Sequence, residues 1–399
     1  MRDQITPITV LGRYLWRNEE RFIIKGAVYQ NNYIKAATTA RGYEEGDSKT
    51  PRSSPPSDPI ADDQLEVLSC SIPLLQELGI NTLLVYCIDN TKSHDVAMDM
   101  LAKAGIYVIA GLSTPQRSVN RAAPFDSYTP ALVQHYFATA DRMAAYPNTL
   151  GVVVANEVLL HAGHTAGAGG APRPRPRREA AAVAADAAND HDQQHRYRVL
   201  PVGVSSNGVS SIFYDEFRYF TGGDPAEAVD FFSVQSFENA HVPLFFSEYG
   251  TTSGESAPRQ FFETTAIYSP AMTRIFSGAC AYEFFEGPNR YGLVVVRPDG
   301  TLEKLRAFDN LKARLAESSS QSDEPVTLPE WGASPGSSEL VEAHRPELPA
   351  QSYDWRAPMG LPDCPLDWDE VRTQIEDQQW IDVADEVERS LVADEPDLL

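Results

Sequence analysis

Residues 148–158 have the sequence Asn148-Thr149-Leu150-Gly151-Val152-Val153-Val154-Ala155-Asn156-Glu157-Val158 and are the clearest guide to the architecture. Three consecutive valines without polar alternation are typical of a strand that is buried on both faces, as strands of parallel sheets are. An amide and a carboxylate, Asn156 and Glu157, stand side by side where this strand ends. A carboxylate at that place either borders a cleft or opens the next helix, and one strand does not distinguish the two.

A second stretch of the same character occurs later in the chain, Pro243-Leu244-Phe245-Phe246-Ser247-Glu248-Tyr249-Gly250. It is again apolar and again ends in a glutamate, Glu248. For a single glutamate, a solvated loop or a helix start is the commoner explanation. Two buried strands with the same ending favour instead the paired carboxylic acids of a glycosidase.

Eight segments have the composition of short buried strands: Phe22–Val28, Thr82–Tyr86, Tyr107–Ala110, Leu150–Val154, Pro201–Ser205, Val229–Val234, Leu244–Ser247 and Gly278–Phe285. Helical patterns separate many of them, at Leu65–Leu78, Val96–Ala104, Leu132–Ala145, Phe261–Tyr268 and Leu302–Leu315. Strands that alternate with helices over roughly 250 residues predict an α/β fold of the (β/α)8 TIM-barrel type. The competing architecture, a doubly wound open sheet, is less favoured because no Gly-x-Gly-x-x-Gly follows an early strand.

The predicted barrel domain covers residues 1–317 and contains one irregular insertion at 159–198. The insertion is rich in glycine and then basic, with the run Pro172-Arg173-Pro174-Arg175-Pro176-Arg177-Arg178. A solvated insertion followed by an alanine-rich helix explains this run better than a nucleic-acid patch does. Residues 318–399 are rich in Ser, Pro, Asp and Glu, which predicts a largely disordered, low-complexity acidic tail with one possible helix at Asp367–Leu391.

The charge balance restricts the partners. With 33 basic and 56 acidic side chains the net charge is −23, which argues against nucleic acid and favours a neutral substrate such as a sugar polymer. The four cysteines and eight histidines show no metal-binding spacing. The N-terminus lacks the apolar run of a secretory signal, and the C-terminus lacks the hydrophobic tail that precedes a lipid anchor. Taken literally, the sequence predicts a soluble intracellular protein.

Retaining glycoside chemistry needs two carboxyl groups about 5–5.5 Å apart, one as nucleophile and one as proton donor. In a barrel such groups stand at the carboxyl ends of strands. Glu157 and Glu248 follow the fourth and seventh predicted strands, whose ends can face each other across the ring. We expect Glu157 to be the acid/base in an apolar setting and Glu248 to be the nucleophile, kept ionised by hydrogen bonds from Tyr282 or Asn156.

Sequence blocks that occur in a fixed order over roughly residues 5–315 carry a family resemblance. They are Phe22-Ile23-Ile24-Lys25-Gly26-Ala27-Val28-Tyr29-Gln30, Leu78-Gly79-Ile80-Asn81-Thr82, Val85-Tyr86, Lys92-Ser93-His94-Asp95, Ala104-Gly105-Ile106-Tyr107-Val108, Ser118-Val119-Asn120-Arg121, Asn148-Thr149-Leu150-Gly151, Asn156-Glu157-Val158, Pro201-Val202-Gly203, Phe246-Ser247-Glu248-Tyr249-Gly250, Met272-Thr273, Phe276-Ser277-Gly278 and Tyr291-Gly292-Leu293-Val294. Together these blocks resemble the fungal β-1,3-glucanosyltransferases of glycoside hydrolase family 72, the Gas/Gel/Phr cell-wall enzymes.

The resemblance implies a (β/α)8 domain that cleaves a β-1,3-glucan internally and passes the donor to another glucan end, which elongates the chain. Its acid/base falls on Glu157 and its nucleophile on Glu248. Its substrate-contacting positions fall on Gln30, Tyr86, Asn156 and Tyr282. No metal and no organic cofactor are implied. The resemblance also implies a GPI anchor at the plasma membrane on the cell surface, for which this sequence shows neither signal nor anchor tail.

The sequence departs from the family pattern at several places. Gly111 stands where the family usually has an aspartate, and Phe237 leads into a loop about twenty residues shorter than in the family, as judged from the resemblance. The family's disulfides are nearly dismantled, because Ala97 stands where the partner of Cys70 is expected and Thr251 replaces another cysteine. Two alternatives therefore remain open: a catalytically weakened glucan-binding or structural remnant, and an enzyme in which hydrolysis dominates.

Overall fold

The computed structural model describes residues 5–30, 57–120, 123–159, 164, 198–225, 227–234, 240–251, 259–319, 345–357 and 365. Nearly all of the insertion at 159–198, the possible helix at Asp367–Leu391, Phe237 and Cys364 lie outside these residues. No helix in the described residues is both long and apolar enough to cross a membrane.

Eight parallel strands form a closed barrel, which confirms the predicted (β/α)8 architecture over an open doubly wound sheet. The strands in chain order are β1 (Ile8–Leu11), β2 (Tyr14–Arg17), β3 (Glu20–Arg21), β4 (Ile24–Val28), β5 (Thr82–Val85), β6 (Tyr107–Gly111), β7 (Thr149–Asn156), β8 (Val202–Ser205), β9 (Phe231–Ser233), β10 (Leu244–Tyr249), β11 (Phe276–Ala281), β12 (Val294–Val296) and β13 (Leu302–Lys304). The barrel consists of β4 to β11, with β11 pairing back onto β4. All eight predicted strands are present in the described structure. The last ends at Ala281 rather than Phe285, so that Tyr282 follows its strand.

Helices lie between most of the barrel strands. They are α1 (Leu65–Leu78), α2 (Asp95–Lys103), α3 (Pro124–Ser127), α4 (Pro130–Ala144), α5 (Phe213–Thr221), α6 (Glu263–Ile267), α7 (Pro270–Thr273) and α8 (Arg306–Ser319). Helix α1 has the predicted bounds because its apolar positions recur at helical spacing and Gly79, with φ of 72°, accepts the left-handed conformation that ends it. The helix predicted over Leu302–Leu315 begins only at Arg306. Its first residues form β13, which pairs with β12 instead.

The barrel interior is packed with side chains rather than open. Two interior glycines make room for the ring of Phe231, since a Cβ on Gly203 would lie 2.0 Å from it and one on Gly151 would lie 2.8 Å from it. Below the strands, the antiparallel β1–β3 sheet covers the amino-terminal end of the barrel. The Tyr107 hydroxyl donates to the Thr6 carbonyl at 2.6 Å, which joins this cover to β6. With that end covered, side chains at the opposite end are the candidates for chemistry.

Part of the predicted disordered tail is ordered. Residues 345–357, named the C-terminal strap here, pack along α5. Trp355 is fully buried, with its ring centroid 5.4 Å from that of Tyr219, and Arg218 Nε donates to the Glu347 carbonyl at 3.0 Å. Composition did not indicate this contact because one buried tryptophan in a polar segment does not change the average that predicts disorder.

Candidate active site

The ends of β7, β8 and β10 are held together by a short set of hydrogen bonds. The Glu157 amide donates to the Ser205 carbonyl at 2.8 Å, just beyond β7. Ser205 Oγ donates to Ser247 Oγ at 3.0 Å, and both hydroxyls are buried. Ser247 directly precedes Glu248 in β10. The two glutamates singled out in the sequence therefore lie at the same end of the barrel and are joined through two serines.

Glu157 occupies an unusual backbone conformation. Its φ is +49°, in the left-handed region that residues with a Cβ rarely adopt. Such a conformation costs on the order of 1–3 kcal/mol and persists where the surroundings require it, often at functional sites. The side chain is only partly buried, and no helix begins at this position. The interpretation of Glu157 as a helix-opening residue is therefore wrong.

Glu248 is held by a tyrosine from another strand end. The Tyr86 hydroxyl, just beyond β5, donates to Glu248 Oε1 in a short hydrogen bond. The expected donors were Tyr282 and Asn156, but the hydroxyl of Tyr282 bonds Glu283 instead. Because adjacent strands of the closed barrel bring Tyr86 to the same mouth, a residue far away in sequence fills the place of the donor.

Burial and nearby charge control the protonation of Glu248. Burial raises the pKa of this carboxyl, the hydrogen bond from Tyr86 lowers it, and the negative charges of Glu157 and Glu283 raise it further. The net direction is upward, so the expectation that hydrogen bonds alone keep Glu248 ionised is wrong. The influence of Glu157 on this pKa also shows that the two carboxyl groups are close enough to interact.

Gln30 is buried and bonded to the backbone of two loops. Its Oε1 accepts from the amides of Tyr86 and Cys87 at 3.2 and 3.1 Å, and its Nε2 donates to the Ser57 carbonyl at 3.0 Å. These contacts fix the segment that carries Tyr86. Gln30 thus positions the hydroxyl that bonds Glu248, and direct contact with substrate stays a prediction.

Asn156 and Tyr282 lie at the same end of the barrel as the glutamates. Asn156 ends β7 opposite Ser205, and its Oδ1 is buried without a hydrogen-bond partner among the described residues. The amide of Tyr282 donates to the Tyr249 carbonyl at 2.9 Å, and its ring meets that of Tyr291 edge-on at 5.5 Å. Four strand ends therefore contribute polar or aromatic groups to one mouth, as the sequence predicted.

A buried arginine beneath this mouth was not predicted. Arg259 is 2% exposed and donates from Nη2 to the Gly250 carbonyl at 2.6 Å and from Nη1 to the Tyr291 carbonyl. Burial lowers its pKa to about 10, while the charges of Glu263 and others raise it. A single Arg in a loop carries no sequence signal. Gly250, whose Cβ would lie 1.8 Å from Arg259 Nη2, was the one indication of a close approach.

The described residues contain no group of three or more His, Cys, Asp and Glu side chains that could hold a metal ion. His94 Nε2 instead lies 2.7 Å from Asp58 Oδ2, with both side chains fully buried. Asp58 also accepts from the amides of Ile60 and Asp89. This pair is structural, because it holds the loop after β5 against the segment before α1.

Gly111, where the resemblance predicts an aspartate, sits against the backbone of Tyr86. A Cβ at Gly111 would lie 2.4 Å from the Tyr86 carbonyl oxygen. The departure therefore does more than remove a carboxylate: it permits a closer approach of β5 and β6 at the residue that bonds Glu248. Cys70 and Cys280 are free thiols, which agrees with the reduced set of disulfides.

Comparison with known proteins identifies the relatives of this chain. The sequence profile of one family, described as Glucanosyltransferase, matches residues 1–239 and 233–319. The 1,3-beta-glucanosyltransferase gel1 of Aspergillus fumigatus is 33% identical over 354 residues, which cover 84% of this chain and 71% of gel1. The 1,3-beta-glucanosyltransferase PGA4 of Candida albicans is 32% identical over 384 residues, which cover 90% and 75%.

Solved structures with the same fold include Saccharomyces cerevisiae Gas2p in complex with laminaripentaose. It superposes with a TM-score of 0.71 at 28% identity and covers 92% of this chain and 78% of Gas2p. A Gas2p mutant in complex with laminaritetraose and laminaripentaose gives a TM-score of 0.72 at 28% identity, with 91% and 75% covered.

Proposed function

The chain belongs to the glucanosyltransferase family and is a 1,3-β-glucanosyltransferase on a glycoside hydrolase fold, and we propose that Glu157 and Glu248 carry out its chemistry by a retaining mechanism. The observation that supports this proposal is the joined position of the two acids at one barrel mouth, with Tyr86 bonded to Glu248. Related structures with bound laminari-oligosaccharides support a β-1,3-glucan as substrate.

In the first half of the reaction, a carboxylate oxygen of Glu248 attacks the anomeric carbon of the donor glucan. The glycosidic C–O bond breaks, and Glu157 gives its proton to the leaving oxygen. In the second half, Glu157 takes the proton from a hydroxyl at the end of an acceptor glucan. The acceptor oxygen attacks the anomeric carbon and releases Glu248, which leaves a longer chain.

Four further residues support this chemistry in the proposal. The Tyr86 hydroxyl orients Glu248 and stabilises its negative charge when it returns to the ionised state. Asn156 and Tyr282 bind glucan hydroxyls, with the unpartnered Asn156 Oδ1 able to accept from one of them. Gln30 holds the Tyr86 segment and lies behind the sugar. No cofactor takes part. By family similarity, the enzyme acts on the cell wall at the cell surface, attached to the plasma membrane through a GPI anchor.

The test is an elongation assay on a reduced laminari-oligosaccharide. The purified protein should yield products longer than the substrate, and Glu157→Gln and Glu248→Gln should each abolish them. Glu303→Gln, which changes an exposed carboxylate on β13, is the matched control and should leave elongation intact. Unchanged elongation by either active-site variant rejects the assigned roles, and products that are only shorter identify a hydrolase.

Gly111 favours one competing function, a glucan-binding remnant with little turnover, because a carboxylate expected near the sugar is missing. Such a protein would bind laminari-oligosaccharides, measured by calorimetry, without forming any product. A clear rate of turnover removes this candidate.

A further inference from the structure

One buried acid has no place in the proposed chemistry. Glu216 lies on α5 with none of its surface exposed. Ser206 Oγ donates to its Oε2 at 2.6 Å, while its Oε1 is buried and has no hydrogen-bond partner among the described residues. Glutamates are almost never fully buried without a partner, so this carboxyl group calls for an explanation.

Hydrogen bonds link Glu216 to the backbone of Glu157. Ser206 directly follows Ser205, whose carbonyl accepts from the Glu157 amide at 2.8 Å. The Ser206 amide donates to the Ser233 carbonyl at 3.0 Å, which ties this corner to β9. A change at the Glu216 carboxyl is therefore transmitted through two adjacent serines to the residue proposed as acid/base.

The charges around α5 leave Glu216 facing one other ionisable group. Burial raises the pKa of Glu216 to about 8, the hydrogen bond from Ser206 lowers it, and the negative charge of Glu157 raises it. The cations His241 and Arg345 both lie at the other end of α5, where each bonds the Thr221 carbonyl. Arg218 donates to the strap instead. Near neutral pH, Glu216 is therefore a neutral acid.

Resting on the proposed role of Glu157, we propose that Glu216 is a positioning residue, a neutral carboxylic acid that holds the Ser205–Ser206 corner under Glu157. While it is protonated, it adds no second negative charge beside Glu157. When it ionises, an unpaired carboxylate is created in a buried place, and solvation of that charge displaces the corner. Glu157 then loses its working position and kcat falls.

Infrared difference spectroscopy tests the coupling without relying on activity. Subtracting the Glu216→Gln spectrum from the wild-type spectrum isolates the carbonyl band of the Glu216 acid. We expect the band at about pH 7 and its loss with a midpoint at about pH 8. In a Glu157→Gln background the midpoint should fall, because the repelling carboxylate is gone. An absent band, or a midpoint unaffected by Glu157→Gln, overturns the proposal.

The pH profile of kcat for elongation gives the second test. Glu216→Gln mimics the neutral acid, so it should match the wild type at about pH 6 and exceed it about threefold at about pH 9. Glu216→Leu loses the bond to Ser206 and should lower kcat at every pH with little change in KM. Asp215→Asn, on the same helix, should follow the wild type.

Equal alkaline midpoints for the wild type and Glu216→Gln overturn the proposal. A wild-type protein that forms no elongated product overturns the proposed function instead. The infrared midpoints then still decide whether the two acids are coupled, so the two failures are distinguishable.

Discussion

At Tyr86 a single hydroxyl connects two strand ends that are 162 positions apart in the chain. The hydrogen bond lowers the pKa of Glu248 against the stronger effect of burial, which raises it. Burial in turn raises the pKa of Tyr86 itself, so that the tyrosine remains a proton donor throughout the working pH range. The reactivity of Glu248 is therefore set by a balance of opposing contacts at one atom.

Tyr86→Phe should raise the pKa of Glu248, because the contact that lowers it is removed. The ionised nucleophile then appears only at higher pH, and the acidic limb of the kcat/KM profile moves upward. A hydrogen bond to a charged group contributes about 1.5–3 kcal/mol, so kcat/KM should fall about 10- to 150-fold. The profile of Tyr353→Phe, at an exposed tyrosine, should be unchanged. An acidic limb that stays in place contradicts this account.

The element scale is represented by the contact of β5 with β6. These strands pair in parallel from Thr82 to Val85, and Gly111 at the end of β6 meets the Tyr86 backbone just beyond the pairing. The missing Cβ lets the segment that carries Tyr86 lie close to its neighbour. Strand packing therefore controls where the Tyr86 hydroxyl points.

Gly111→Ala should reduce both stability and elongation. Its Cβ would lie 2.4 Å from a backbone oxygen, which cannot rotate away, and such overpacking costs about 1–3 kcal/mol. The displaced Tyr86 then bonds Glu248 poorly. Gly105→Ala is the control, because its Cβ meets open space although its φ of 75° makes it strained. Thermal unfolding and the elongation assay should show both variants destabilised but only Gly111→Ala slowed.

On the scale of the whole molecule, the C-terminal strap extends the fold beyond the barrel. Trp355 and Ala357 are fully buried, and Arg345 Nη1 donates to the Thr221 carbonyl at 3.4 Å. The strap covers α5, the helix that carries Glu216. A segment distant from the mouth is thus part of the support for one side of the candidate site.

Trp355→Ala should destabilise the folded protein by about 3–5 kcal/mol, as loss of a fully buried large aromatic does. Trp355→Phe retains most of the packing and should lose less. Denaturant unfolding of both variants measures the difference. A loss below about 1 kcal/mol for the alanine variant would show that the strap is dispensable for folding.

The pH dependence of stability should carry the signature of Glu216. Its pKa is about 8 in the folded protein and about 4.5 when exposed, so the unfolded chain ionises first as pH rises. Unfolding free energy therefore decreases between these two pH values and levels off above about pH 8. Glu216→Gln lacks this contribution, which is on the order of 4 kcal/mol. A difference in denaturant midpoint between the two proteins that does not change with pH contradicts it.

The amino-acid sequence by itself determined the barrel and the two acids. Apolar β-branched runs such as Val152 to Val154 have a local cause, burial on both faces, that is visible without neighbours. Glu157 and Glu248 could be found because each directly follows such a run. The helix α1 was predicted to the residue because its apolar period and Gly79 both act within one turn.

Only the tertiary structure decided which groups surround those acids. Tyr86 as the donor to Glu248, Arg259 beneath the mouth, Glu216 beside Glu157 and Trp355 on α5 are all contacts between distant segments. Hydrogen bonding and burial of a charge depend on three-dimensional proximity, and sequence patterns report only which face of an element is apolar. The protonation of the site is therefore a property of the closed barrel and not of any stretch of its sequence.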